Sequence, residues 1–144
     1  MATSFDIVED MGLGQIDDYT LKKLYNNDPD KFQKFCDGLL IQAVPYFKDC
    51  RQSLEYNTET REFVNDLSNE EIAILSDFWM IQWFGRKVNN SAQFQAKLQN
   101  SGNFKNHSEA QNLKEKTSWL DRLRERVYQR ITDYQVGYLS NISI

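Results

Sequence analysis

The chain carries one histidine, His107, and two cysteines, Cys36 and Cys50, so the residues best suited to nucleophilic or metal chemistry are nearly absent. A serine or cysteine triad would need His107 as its base, and a His-rich zinc site cannot be built from one imidazole. His107 stands beside Ser108 in a polar stretch that reads as a solvated loop before a helix. The cysteines occur in no CxxC or other metal-ligand spacing and read as small buried hydrophobes; a disulfide between them would require the segment around Pro45 to fold back. The paired acids Glu70 with Glu71, and Asp17 with Asp18, fall at helix starts, where a carboxylate favours the macrodipole and needs no catalytic role. No phosphate-binding loop, GxGxxG, GxSxG or HExxH occurs. The expectation is a protein that is not an enzyme, with no metal and no cofactor.

Recognition chemistry is better represented. Trp79, Trp83 and Phe84 cluster in one apolar stretch, and Arg122, Arg126 and Arg130 recur every four residues in another. The first stretch, Ser68 to Val88, is a helix apolar on nearly every side. At about 100° per residue Ile72, Leu75 and Trp79 share one flank, Ile74, Phe78 and Ile81 the next, and Met80, Phe84 and Val88 much of the rest. Such a helix must be covered all round, either by the rest of its own chain or by another subunit.

The second stretch belongs to the longest helix, from Ser108 to about Gln135. Leu113, Leu120, Leu123, Val127, Ile131 and Tyr134 fall within an arc of roughly 60°, a packing seam with Trp119 and Tyr128 on its flanks. Arg122 and Arg126 lie on the far side and Arg130 at its margin. Three readings stay open for them: a solvated face with ordinary i, i+4 pairs, a basic strip that meets the acidic N-terminal arm of a neighbouring copy, or contacts to DNA phosphates.

Other elements are marked by their punctuation. A short helix runs from about Asp17 to Asn26. Asp28 followed by Pro29 starts a second, whose stripe from Phe32 through Phe35, Cys36, Leu39, Leu40 and Ala43 to Phe47 is interrupted at Pro45. Residues Gln52 to Asp66 read as a turn or short hairpin. Ser68 with Glu71, and Ser108 with Gln111, have capping-box spacing. Asn89, Asn90 and Ser91 are expected to break the central helix before a short one at Ala92–Leu98 and a loop at Gln99–Asn103.

The chain reads as mainly α: a small helical bundle over residues 19–136, with an extended N-terminal arm at 1–18 and a C-terminal tail at 137–144. The first thirty residues hold seven acids against Lys22 and Lys23, and a flexible step at Gly12–Gly14. Phe5, Ile7, Val8, Met11, Leu13 and Ile16 are too apolar for a solvated tail, so part of the arm docks on something. With 40% hydrophobic and 26% charged residues over 144 positions, one globular domain is expected. A net charge of −4 argues against general coating of nucleic acid. No apolar run approaches the roughly eighteen residues of a membrane span, and MATSFDIVED has neither region of a signal peptide, so a cytoplasmic protein is expected.

A dispersed pattern then suggests a family. Thr60–Phe63, Asp66–Ser68, Glu71 with Ile72, Ile74 with Leu75, Trp83, Asn90 with Ser91, Phe104 with Lys105, and Ser108 with Ala110 together resemble small virion proteins of tailed phages. These are the head-to-tail connector proteins, also called adaptor or neck proteins, and the likeness covers about residues 60–135. It implies a helical bundle with extended termini and a ring of about twelve copies beneath the portal of the DNA-filled head. The implied partners are further copies of the chain, the portal protein, and stopper or tail proteins. DNA would pass through the channel without sequence-specific binding, no membrane would be involved, and the protein would reside in the virion after assembly in the host cytoplasm. Relatives tend to end in a basic tail. Here the end is apolar and hydroxyl-rich, with Tyr138, Leu139, Ile142 and Ile144 able to add as a strand to a partner. The rival readings are a small helical DNA-binding protein using Arg122–Arg130, and a regulatory protein binding a host partner through Trp79–Phe84.

Overall fold

The computed structural model describes residues 2–16, 18–101 and 106–142, apart from the side chains of residues 19, 91–101, 106–112 and 138–142. It is mainly helical, a small bundle as the sequence implies. The elements in order are β1 (Thr3–Ser4), α1 (Phe5–Leu13), α2 (Tyr19–Asn27), α3 (Pro29–Ala43), a 3-10 turn (Val44–Tyr46), β2 (Tyr56–Asn57), β3 (Glu62–Phe63), α4 (Asn69–Ser101) and α5 (Asn106–Ile142).

Local chemistry sets many of these boundaries. Asp28 caps α3 by accepting the Lys31 N–H at 3.1 Å, with Pro29 in the first turn where its missing N–H costs nothing. Pro45 has no N–H to continue α3, which passes into the 3-10 turn at Val44. Ser68 and Glu71 close a reciprocal capping box: Ser68 Oγ accepts the Glu71 N–H at 3.2 Å, and Glu71 Oε1 accepts the Ser68 N–H at 2.8 Å. Between them β2 and β3 form the hairpin that the polar stretch suggested, with Asn57 Oδ1 accepting the N–H groups of Glu59 and Thr60 in the turn.

Three expectations are corrected. Residues 1–18 are read from sequence as an arm, yet β1 adds antiparallel to β3, pairing Thr3 with Phe63 and Ser4 with Glu62, and α1 lies on α4. Phe5 and Val8 are fully buried in the chain's own core, with Leu13 and Ile16 packed against it, whereas Ile7 and Met11 stay exposed. Helix α4 does not break at Asn89–Ser91 but runs on to Ser101, because polar residues in a helix interior cost only tenths of a kcal/mol each and nothing there resembles proline. Finally, α5 continues through Gly137 to Ile142, so the tail expected to serve as a strand is helical over most of its length.

The core is organised around α4. Residues 71, 77 and 84 face residues 134, 126 and 119 respectively, so α4 and α5 are antiparallel. The α5 seam buries Leu120, Leu123, Val127, Ile131 and Tyr134 on one side of α4, while α1 and α3 cover other sides. Ile72, Ile74, Leu75, Phe78, Trp79, Met80 and Trp83 are all buried within the one chain. That answers the question its all-round apolarity raises for the first four turns; beyond them Phe84 and Val88 are only half-buried.

Candidate functional site

Trp79 and Trp83 are core residues, not a recognition surface. Trp79 is fully buried and its indole Nε1–H donates to the Cys36 carbonyl at 3.0 Å, which ties α4 to α3. Trp83 meets the edge of Phe84, with centroids 4.5 Å apart and planes at 82°. Phe84 is the member of the trio that reaches the surface. Its ring lies parallel to that of Trp119 at 6.0 Å and 2°, and the Arg122 guanidinium sits 5.3 Å from the Trp119 ring centroid. Trp119 is 50% exposed. A layered platform of phenyl, indole and guanidinium is thereby held on the α4–α5 pair, next to the buried Trp83 on α4 and Leu120 on α5.

Arg126 and Arg130 have a different fate from Arg122. Both reach across to Asp77 of α4, a fully buried carboxylate: Arg126 Nη2 donates to Oδ1 at 2.7 Å and Arg130 Nη1 stands 3.0 Å from Oδ2. Arg130 also donates to the Ala73 carbonyl at 3.4 Å. Their acidic partner is therefore within the same chain, not on the arm of a neighbouring copy. Burial pushes the Asp77 carboxyl above its ordinary range, and the two guanidinium charges oppose that push. Sequence spacing alone could not pair these residues, since they are set opposite one another by the antiparallel register.

Two further polar clusters carry no local sequence signal. Glu71 accepts from the Tyr134 hydroxyl at 2.7 Å, from Gln52 Nε2 at 2.6 Å and from the Cys50 thiol at 3.3 Å, besides its capping bond. Burial alone would raise its carboxyl, but the Ser68 N–H and these donors outweigh burial and hold it low. Tyr134 in turn accepts the Arg51 N–H at 2.9 Å, and the Arg51 guanidinium lies 3.8 Å from its ring centroid. This knot fastens the 50–52 segment to both long helices.

The other cluster is centred on Arg61, which occupies the left-handed region at φ 56°. Its guanidinium clasps Asp37 at 2.7 and 2.8 Å, Asp6 at 2.8 Å and Glu9 at 3.5 Å, linking the hairpin to α1 and α3. Burial, a proton shared with Asp37 and the Asp37 charge push the Glu9 carboxyl up to about 9. Burial acts the same way on Asp37, but its hydrogen bonds to Arg61 and Glu9 prevail and hold it below the ordinary range. Of the two, Glu9 is the group that keeps its proton to higher pH, and Asp37 is the carboxylate clasped by Arg61.

Chemically, these clusters fasten elements together. Burial pushes the Cys36 thiol up to about 12, and burial together with the Glu71 carboxylate to which its thiol donates pushes Cys50 up to about 11, so both are held in the neutral form. Among the described residues no group of three or more metal-ligating side chains converges, and no helix is long and apolar enough to cross a membrane. The side chains of Tyr138, Leu139 and Ile142, and all of Ile144, lie outside the described residues, as does the His107 side chain. The feature suited to recognition is the Phe84–Trp119–Arg122 platform. Comparison of the chain with protein-family models, with curated proteins and with solved structures finds no match.

Proposed function

We propose that this chain is a structural virion protein that assembles as a ring, an adaptor or connector between the portal of a phage head and the tail, and extends the DNA channel. The reading starts from the resemblance over residues 60–135. It is supported by the surface platform of Phe84, Trp119 and Arg122, which pairs an exposed aromatic with a cation in the manner of contact hot spots. A ring subunit needs such a surface and needs no reaction centre.

The DNA-binding rival loses support from the same helix face. Two of the three cations on its face are engaged by Asp77, and Arg122 lies over Trp119. A net charge of −4 suits a channel wall past which phosphate slides instead of adhering. Cryo-electron microscopy of purified virions tests the proposal. A closed ring of this chain in the neck density is the expected result. Particles that lack the chain would overturn it and return the regulatory readings to first place.

A further inference from the structure

A cleft lies between α1, α2 and α3, formed by two hollows of about 510 and 280 Å³ that share Asp10, Leu13, Tyr25 and Phe32 in their walls. The larger hollow is mostly apolar, with Leu13, Ile16 and Leu21 against Phe32, and its size accommodates an indole. The smaller is acidic: Asp10 and Asp30 stand at it beside the Arg61 cluster, and neither has a cationic partner among the described residues. At the junction Tyr25, 56% exposed, meets the Phe32 ring edge-on at 5.3 Å and 76°. The cleft thus offers an aromatic seat next to unpaired carboxylates.

The same chain displays the complementary shape elsewhere. Trp119 presents an exposed indole with Arg122 one turn along, and no carboxylate among the described residues pairs with that guanidinium. The two surfaces point in different directions. Helix α1 approaches α4 over Ser76 and Trp79, whereas Phe84, on which Trp119 stacks, lies roughly 110° further round the helix. One copy therefore cannot satisfy itself, and two unlike faces of the same subunit make a head-to-tail contact of the kind that closes rings.

We infer that the α1–α2–α3 cleft receives Trp119 and Arg122 of a second copy of this chain, the indole seated against Tyr25 and Phe32 and the guanidinium between Asp10 and Asp30. The inference rests on the assembling role proposed above and names the surfaces that meet.

The test uses the full chain with a photoreactive benzoylphenylalanine at Tyr25. Illumination is expected to give dimer-sized and larger bands, with the crosslink mapped by mass spectrometry to residues 119–122 of another copy. In sedimentation equilibrium, Arg122→Glu and the double change Asp10→Arg with Asp30→Arg are each expected to weaken self-association about tenfold or more, and their combination to restore it. All three sites are on the surface, so circular dichroism should be unchanged. A chain that stays monomeric at its solubility limit, crosslinks that map elsewhere, or reversals without mutual rescue would each overturn the inference. Assembly through other residues would leave the connector reading standing, whereas the mapped crosslink in a chain missing from virions would sink that reading and keep the interface.

Discussion

Gly12 of α1 and Trp79 of α4 approach so closely that a Cβ on the glycine would stand 2.5 Å from indole Cε3 and 2.9 Å from Cζ3. The indole has no room to retreat, being fully buried and hydrogen-bonded to the Cys36 carbonyl. Gly12→Ala is therefore expected to push α1 off its seat at a cost of about 1–3 kcal/mol. At Gly38, inside α3, an added Cβ meets nothing within 4 Å, and Gly38→Ala should stabilise by about 0.5–1 kcal/mol. Thermal melts of the two variants should move in opposite directions; a Gly12→Ala melt at the wild-type temperature would mean that α1 is not seated on Trp79.

Asp77 has two counter-ions, so losing one should matter far less than losing both. Arg126→Ala or Arg130→Ala leaves the buried carboxylate one guanidinium and is expected to cost about 1 kcal/mol, with about 3–5 kcal/mol for the double variant. Urea titrations of the full cycle measure the excess. Strictly additive losses would show that the two arginines do not share this charge.

Tyr134→Phe removes one donor from Glu71 and the acceptor of the Arg51 N–H in a single atom. The expected loss is about 1–2 kcal/mol, accompanied by faster hydrogen exchange at Arg51. Exchange at Arg51 that matches the wild type would mean that the 50–52 segment is held by other contacts.

The pH dependence of stability should follow Glu9. Its carboxyl, ordinarily near 4.5, is pushed up to about 9 in the folded chain. Its stabilising contribution is complete below 4.5 and is lost as pH rises toward 9, because over that window the unfolded chain has released the proton that the folded chain retains. Glu71 and Asp37, both held low, behave oppositely: their contribution is present above their ordinary values and lost as pH falls through the folded ones. Glu9→Gln should flatten the decline between pH 4.5 and about 9 and leave the acid limb below it in place, as read by denaturant midpoints across pH. An alkaline limb identical to the wild type would place the responsible proton elsewhere.

What was legible in the sequence was local. The Asp28 and Ser68 caps, the stop at Pro45, the hairpin after Gln52 and the α5 seam each follow from residues within one or two turns of one another. What was not legible depends on long-range register. Gly12 looks identical in sequence whether it loosens a tail or admits an indole, and only the docking of α1 decides between them. Asp77 acquires Arg126 and Arg130 from 49 and more residues away, and Arg61 collects Asp6, Glu9 and Asp37 from two other helices. The recognition platform was half visible: Phe84 and Arg122 stood out, but their meeting through Trp119 required α4 and α5 to be laid side by side.

The seating of α1 on Trp79 also sets an order of events during synthesis. Gly12 leaves the ribosome 67 residues before the tryptophan it must meet, which at about 5–20 residues per second is a wait of roughly 3–13 s. The strand Thr3–Ser4 likewise waits for Glu62 and Phe63. Residues 3–13 thus leave the ribosome before the surfaces that receive them exist, and their apolar side chains must spend that interval in water or in the care of a chaperone.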